Sequence, residues 1–173
     1  MSCAVAAAAK AVDENVASLS KNVLFVCTGN TCRSPMAAAL FADFAKKHGR
    51  EKAWHASSCG LNALVGEPIN EKAVGALKGA GILSDAQHPY EAHTATPVTE
   101  ELMEKADAVV PMTASHYMEL LWRFPQWAGK ITLLPLEISD PYGGDALVYA
   151  HCLSLLSSAI AMTWFPEEET PCS

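Results

Sequence analysis

A cysteine and an arginine six positions apart stand out as residues that could do chemistry together. They lie in the stretch VLFVCTGNTCRSPMAAALF, where Cys27 ends an apolar run and Arg33 precedes a Ser-Pro pair. The apolar run is β-branched and aromatic, which is typical of a strand buried on both faces. Ser34 can cap a helix, and Pro35 suits its first turn. The loop between strand and helix therefore ends at a helix N-terminus, where backbone N–H groups and the helix dipole attract anions.

The residues of this loop are suited to wrapping a tetrahedral dianion such as a phosphoryl group. Gly29 permits the backbone angles that a cradle of N–H groups needs, and Arg33 offers parallel donors to two phosphate oxygens. The same surroundings favour the thiolate of Cys27, which would attack phosphorus while Ser34 donates a hydrogen bond to the sulfur. We therefore predict catalysis through a phosphocysteine intermediate. The predicted phosphate-binding residues are Thr28, Gly29, Asn30, Thr31, Cys32, Arg33 and Ser34.

The leaving group needs a proton, and Asp140 is its predicted donor. Asp140 follows an apolar, β-branched run and precedes Pro141, which stiffens the loop. Because the carboxyl ends of parallel strands share one edge of a sheet, we expect Asp140 to lie near Cys27. Asp107 stands at the start of a strand, on the opposite edge, and Asp145 falls in the first helical turn, where an acidic residue is useful for structure alone. The structural alternative for Asp140 is a plain turn aspartate.

The two loop cysteines admit other interpretations. Cys27 is either the nucleophile or a small hydrophobic residue at a strand end. A zinc half-site formed with Cys32 is not favoured, because the sequence has no second Cys/His pair with ligand spacing, and we predict no metal and no cofactor. Cys32 either forms a reversible disulfide with Cys27, which would prevent over-oxidation, or packs as a small residue. The histidines form no constellation, so His93 and His116 are interpreted as structural or surface residues.

Hydrophobic periodicity predicts strands alternating with helices along the chain. Strands are expected at 23–27, 53–58, 106–113 and 130–136, and helices at 34–48, 70–80, a short one from 99, 114–124 and 144–163. Such alternation predicts an α/β fold, with a doubly wound, four-stranded parallel sheet covered by helices on both faces. Pro111 removes a ladder donor, so we expect it at a strand end or near an edge.

The composition limits the class of protein. The chain has 173 residues, 12 basic against 19 acidic, and a net charge of −7, which argues against nucleic-acid binding. We find no apolar segment near the roughly 20 residues that span a bilayer, and we predict no membrane partner. Six cysteines without an export signal favour free thiols and a cytoplasmic location. We divide the chain into an Ala-rich extension at 1–20, one domain at 21–166 and an acidic tail at 167–173.

The motifs VLFVCTGNTCRSPMA and DPYGG resemble those of the low-molecular-weight protein-tyrosine phosphatases. The segments SSCG and TPVTEELMEKADAVVPMT and residue His116 also fit, so that the resemblance covers about residues 22–165. It implies a flavodoxin-like sheet, a phosphocysteine mechanism without metal, and a phosphorylated protein or peptide as substrate.

The resemblance also assigns roles to residues. By this match Cys27 is the nucleophile, Arg33 the phosphate clamp and Asp140 the general acid, and Asn30 and Ser34 support the loop.

Three positions bear on the substrate: Thr31, Leu61 and Tyr142. We expect phosphotyrosine hydrolysis, with phosphoarginine as the alternative. Tyrosine-specific members of the family typically carry a bulkier aliphatic residue where this chain has Thr31, and CTGNTCRSPM with DPxGG is similar to the bacterial protein-arginine phosphatases. That branch more often has Phe at the position of Tyr142, and the rim segment around Leu61 offers no aromatic wall for a phenyl ring. Arsenate reduction and non-catalytic phosphate binding are less favoured, because the downstream cysteines are scattered and both Cys27 and Asp140 are present.

Overall fold

A computed structural model describes residues 20–166 of the chain. The predicted extension, apart from Ser20, and the predicted acidic tail lie outside the described residues. Three strands form a parallel sheet in the order β2-β1-β3. They are β1 (Lys21–Cys27), β2 (Trp54–Gly60) and β3 (Ala108–Pro111). The sheet confirms the predicted α/β class.

Helices cover both faces of this sheet. They are α1 (Arg33–Lys47), α2 (Glu71–Gly79), α3 (Glu100–Lys105), α4 (Ala114–Arg123) and α5 (Ala146–Trp164). Because successive strand residues point to opposite faces, β1 contributes to two cores. Val23, Phe25 and Cys27 pack in one core with α1, α2 and α5, and Leu24 and Val26 pack in the other with α3 and α4.

The predicted fourth strand is not formed as a strand. Ile131 makes a single parallel bridge to Val109, and the chain then leaves the sheet. Thr132 N donates to Val109 O, so the next bond of this ladder would run from the N of residue 111 to Thr132 O. Pro111 has no N–H, which explains why pairing is interrupted there. The backbone returns at Ile138, whose N–H donates to Met112 O at 2.9 Å. The residues that follow Ile138 are therefore still brought to the carboxyl edge of the sheet.

The end of β3 agrees with the prediction, and the start of α1 differs from it. Pro111 is the last residue of β3, as predicted. Ser34 does not cap α1: the helix begins at Arg33, and the capping position is taken by Cys32 without a side-chain bond. Ser34 is buried inside the first turn, and its hydroxyl is used by the loop instead.

Helix α5 corrects the statement that no apolar segment approaches the length of a membrane span. By length and composition alone, its 19 residues suffice to cross a bilayer. However, buried side chains along one side of the helix pack into the first core against α1 and α2, among them Tyr149, Leu153, Leu156 and Ile160. We interpret α5 as the core helix of this domain.

Candidate active site

Cys27 ends the central strand of the sheet and is the first residue of the anion loop, which is defined here as residues 27–33. The side chain of Cys27 is buried. The sulfur lies 3.3 Å from the backbone N of Asn30, which donates to it, and 3.0 Å from Ser34 Oγ. Strand β1 thus places Cys27 at the carboxyl edge, directly below the N-terminus of α1, as the sequence predicts.

The hydroxyl of Ser34 has one hydrogen and two possible acceptors. Ser34 Oγ lies 3.2 Å from the carbonyl oxygen of Cys59 and 3.0 Å from Cys27 Sγ. When the sulfur is a thiol, its S–H can donate to Ser34, which in turn donates to Cys59. When the sulfur is a thiolate, it has no hydrogen, and the serine hydroxyl can turn to donate to it. The arrangement accommodates both protonation states of the nucleophile.

Asn30 holds the anion loop in shape. It has a φ of +58°, the single non-glycine residue in the left-handed region among residues 20–166, and it is fully buried. Its Nδ2 donates to Ser34 Oγ and Ser58 Oγ, both at 2.9 Å, and its Oδ1 accepts from Thr96 N at 2.8 Å. His93 Nε2 lies 2.8 Å from its carbonyl oxygen. These bonds satisfy the buried amide and offset the strained backbone.

Gly60, the last residue of β2, lets the anion loop lie against the neighbouring strand. A Cβ at this position would come within 2.6 Å of Thr28 O and 3.0 Å of Asn30 N. The residues after it donate to the loop: Leu61 N to Cys27 O and Asn62 N to Thr28 O, each at 2.9 Å. The strand end and the loop backbone are therefore in direct contact, with no space for a side chain.

Arg33 is buried, and its guanidinium is held from several sides. Nη1 donates to Ile138 O at 3.2 Å, and Nη2 lies 3.4 Å from Thr28 Oγ1. Nη2 also pairs with Asp140 Oδ2 at 2.9 Å, and the side chain of Asp140 is about half exposed. The structure therefore brings the predicted clamp and the predicted acid together, as the parallel topology implies.

His116, in the first turn of α4, contacts the loop from the other side. It is buried, and its Nε2 lies 2.8 Å from Thr28 Oγ1. Burial, and then the charge of Arg33, lower the pKa of this histidine, so the neutral ring is favoured. Of the structural and surface roles predicted for His93 and His116, the structural one fits: neither is exposed, and each contacts the anion loop. Both histidines are distant from the anion loop in sequence, so these contacts could not be predicted, although the resemblance already included His116.

Cys32 is a packed, free thiol. Its Sγ lies 3.3 Å from the hydroxyl of Tyr149, and burial raises its pKa. Cys152 is nearby on α5, and burial raises its pKa to about 12. The four cysteines of the described residues are all buried and free. In this state Cys32 is a small core residue and not a disulfide partner.

The three predicted specificity residues have different surroundings. Thr31 is half-buried in the anion loop, and Tyr142 is 75% exposed beside Asp140. Leu61 is only 4% exposed and packs in the second core with Leu24 and Val26. A side chain buried in this way is not available to a substrate, so the assignment of Leu61 is corrected.

Apart from the anion loop, the surface has a cavity of about 750 Å³ between α1, α2 and α5. Its lining includes Leu40, Ala76 and Ala150 but no residue of the anion loop and not Asp140. The loop carries the nucleophile, the guanidinium and the acid, so chemistry places the active site there.

A nucleophilic cysteine in a strand-to-helix anion loop, with a buried arginine and an aspartate from the same sheet edge, defines a cysteine-dependent phosphatase. The family described as low molecular weight phosphotyrosine protein phosphatase matches residues 22–167, and the chain belongs to this family. Residues 20–166 contain no group of three or more His, Cys, Asp or Glu side chains placed to hold a metal ion.

Relatives of this chain include both protein-arginine phosphatases and protein-tyrosine phosphatases. The chain is 36% identical over 135 residues to a protein-arginine-phosphatase of Bacillus subtilis, covering 74% of this chain and 84% of the relative. It is 32% identical over 150 residues to low molecular weight protein-tyrosine phosphatase A of Mycobacterium tuberculosis, covering 80% and 86%.

Solved structures agree with this grouping. A YwlE mutant from Bacillus subtilis superposes with a TM-score of 0.74 at 33% identity, covering 82% of this chain and 94% of that one. A low molecular weight protein tyrosine phosphatase from T. tengcongensis gives a TM-score of 0.74 at 38% identity, covering 82% and 95%.

Proposed function

We propose that this enzyme is a protein-arginine phosphatase, which removes the phosphoryl group from phosphoarginine side chains. Thr31 carries the proposal: it puts a hydroxyl on the anion loop where the tyrosine-specific branch typically has a larger aliphatic side chain. Thr31 Oγ1 lies 3.7 Å from Cys32 Sγ, a weak contact that leaves the hydroxyl available to a polar substrate. The identity with the Bacillus subtilis protein-arginine-phosphatase supports the same choice.

The reaction requires two displacements at phosphorus. In the first, the thiolate of Cys27 forms a bond to phosphorus while the phosphorus–nitrogen bond breaks, and Asp140 protonates the leaving guanidine nitrogen. In the second, water attacks the phosphocysteine, Asp140 takes a proton from it, and the sulfur leaves with the electron pair. Ser34 donates to the sulfur as it leaves, and Arg33 and the loop N–H groups hold the phosphoryl oxygens throughout.

Substrate binding changes the partner of Arg33. Arg33 Nη2 pairs with Asp140 Oδ2 at 2.9 Å. A phosphoryl dianion competes for that guanidinium with greater charge, and Asp140 is then released toward the leaving group. The carboxyl can move because its side chain is about half exposed. Arg33 thus serves as the anion clamp and, before substrate binds, also holds the carboxyl group of Asp140 in place.

The mouth of the site also suits a guanidinium product. The leaving arginine becomes a cation, which the carboxylate of Asp140 attracts. The ring of Tyr142, 75% exposed next to it, offers a face on which a guanidinium can stack. The exposed Tyr142 ring equally suits a phenyl group, which is the observation that favours phosphotyrosine as the second candidate.

The test is a paired kinetic assay on two peptides that differ only in phosphoarginine or phosphotyrosine. We expect the ratio of kcat/KM to favour phosphoarginine, and Thr31→Ile to shift it at least about tenfold toward phosphotyrosine. Thr132→Ile is the matched control, since Thr132 is exposed and lies outside the anion loop. A wild-type preference for phosphotyrosine, or an unchanged ratio in Thr31→Ile, would reject the proposal.

A further inference from the structure

His116 and Thr28 form a partly buried contact beside Arg33 that the mechanism above does not use. Thr28 is the first residue of the anion loop after the nucleophile, and its side chain is exposed at the mouth of the site. His116 comes from α4, with its backbone N bonded to Thr113 Oγ1 at 3.2 Å. A helix on the second face of the sheet is thus connected by side chains to the anion loop.

The surroundings of His116 determine which ring nitrogen carries the proton. Its Nδ1 is buried and has no hydrogen-bond partner among the described residues. A proton on Nδ1 would leave a buried donor unsatisfied. Nε2 would then accept a hydrogen bond from the Thr28 hydroxyl across the 2.8 Å contact. A proton on Nε2 leaves only a lone pair unpaired and makes the contact an N–H···O bond. The second tautomer is favoured, so His116 donates to Thr28.

The charged groups around His116 agree with a neutral ring. Burial has the largest effect on the pKa of His116 and lowers it. The charge of Arg33 lowers this pKa as well, whereas the charges of Glu119 and Asp140 raise it. A neutral ring with its proton on Nε2 has one hydrogen to give, and Thr28 Oγ1 receives it.

The hydroxyl of Thr28 then has both lone pairs in use. One faces His116 Nε2 at 2.8 Å, and the other faces Arg33 Nη2 at 3.4 Å. Its own hydrogen must point away from both donors, and the exposed side of the residue is the mouth of the anion loop. An oxyanion bound there is the acceptor that this hydrogen can meet.

We infer that His116 is a positioning residue: it holds the Thr28 hydroxyl so that the oxygen steadies Arg33 and the hydrogen faces the bound phosphoryl group. Thr28 thereby contributes a side-chain donor in addition to the backbone N–H groups. The inference rests on the phosphatase chemistry of the proposed function but not on the choice of phosphoarginine.

The experiment is a double-mutant cycle with His116→Phe and Thr28→Val, both of which remove a donor while keeping volume. The readouts are kcat/KM on an aryl phosphate and the affinity for inorganic vanadate by calorimetry. Each single change is expected to lower both by about tenfold, a typical value for one lost hydrogen bond to a charged group. The double variant should lose about as much as either single variant, because the two residues act as one unit.

Two further variants separate positioning from simple structural support. Thr28→Ser keeps the hydroxyl and should retain activity within about threefold of wild type. His55→Phe, the same change at an exposed histidine on β2, should have no effect. Thermal unfolding is measured for all variants, and if His116→Phe fails to fold, Thr28→Val and Thr28→Ser decide.

Additive losses in the double variant, or a Thr28→Val enzyme with wild-type kinetics and vanadate affinity, would overturn the inference. Because the aryl phosphate and vanadate report on the anion loop for any substrate, a failure to hydrolyse phosphoarginine peptides would reject the proposed function alone.

Discussion

The two loops that meet at the carboxyl edge of the sheet are held in opposite ways. The anion loop, residues 27–33, is supported by buried groups, and Asn30 alone makes side-chain bonds with three other residues. The aspartate loop, residues 139–145, is exposed at most of its positions. Asp140 is tied to the site through the ion pair with Arg33, and it accepts from Tyr142 N at 3.2 Å.

This difference matches what each loop has to do. Stabilising charge on a transferring phosphoryl group requires donors that are already in place, since reorganising them during the reaction would cost free energy. Delivering a proton to leaving groups, and then taking one from water, requires a carboxyl that can move. The carboxylate of Asp140 is about half exposed and stays partly hydrated, and the buried guanidinium of Arg33 keeps Ile138 O and Thr28 Oγ1 as partners. Asp140 can therefore leave Arg33 when a phosphoryl group takes its place. Phosphoryl binding and proton transfer are thus assigned to two loops, a rigid one at residues 27–33 and an adaptable one at residues 139–145.

The largest expected effect comes from the nucleophile in the rigid loop. Cys27→Ser should lower turnover of an aryl phosphate by at least about 10⁴-fold, because a serine hydroxyl there lacks a base to activate it. Phosphate affinity, measured by calorimetry, should stay within a few-fold, since Arg33 and the loop N–H groups remain. Turnover near the wild-type rate would show that Cys27 is not the nucleophile.

The next effect tests the adaptable loop. Asp140→Asn should lower kcat by about 10²- to 10³-fold, more for poor leaving groups than for good ones, because general acid catalysis typically contributes this much. The free energy of unfolding should fall by about 1–3 kcal/mol, because the substitution leaves the buried guanidinium of Arg33 without its carboxylate partner. Glu137→Gln, at an exposed position shortly before it, is the control. Equal losses for all leaving groups would contradict proton donation by Asp140.

A smaller effect is expected where the rigid loop meets β2. Gly60→Ala should weaken phosphate affinity and destabilise the fold by about 1–3 kcal/mol, because the added Cβ lies 2.6 Å from Thr28 O. Gly75→Ala is the matched control: it lies in α2, and apart from its chain neighbours and the backbone of its own helix no atom of the described residues is within 4 Å of its added Cβ. There the same methyl should stabilise the helix by up to about 1 kcal/mol. Wild-type phosphate affinity in Gly60→Ala would contradict the claim that close packing against β2 holds the anion loop in its binding shape.

The sequence predicted the features of the site that are local or follow from a topology rule. The spacing of Cys27 and Arg33 between a strand and a helix start is local, and it located the anion loop. Asp140 is distant in sequence, but the rule that parallel strands end at one edge placed it beside Arg33. Pro111 shows a limit of that rule, since its missing N–H interrupts pairing with the fourth strand without moving Asp140 from the edge.

The supports of the loop could not be predicted, because they come from separate segments without a periodic pattern. Ser58, His93 and Thr96 contact Asn30 through turns and strand ends whose paths the sequence does not encode locally. Leu61 was assigned to the substrate because the segment SCGLNALVG was interpreted as one rim of the site. The fold instead directs it into the second core, and only packing in three dimensions makes that evident.

The smallest expected effect is on the pH dependence of stability, and it again distinguishes the two loops. Burial lowers the pKa of His93 and His116, which contact the rigid loop, and of His88, which does not. A histidine with a lowered pKa in the folded state binds fewer protons there than in the unfolded chain. The stability it contributes is therefore complete above the unfolded value of about 6.5 and is lost as pH falls below it.

Denaturant unfolding between pH 7 and pH 5 should show this loss, by at most about 1.4 kcal/mol per pH unit for each histidine. His116→Gln and His88→Gln should each flatten the slope, because each removes one such group. Only His116→Gln should also weaken vanadate affinity, since His116 contacts Thr28 and His88 lies outside the anion loop. An equal effect of both variants on vanadate affinity would show that the rigid loop is supported by overall stability and not by the particular groups that contact it.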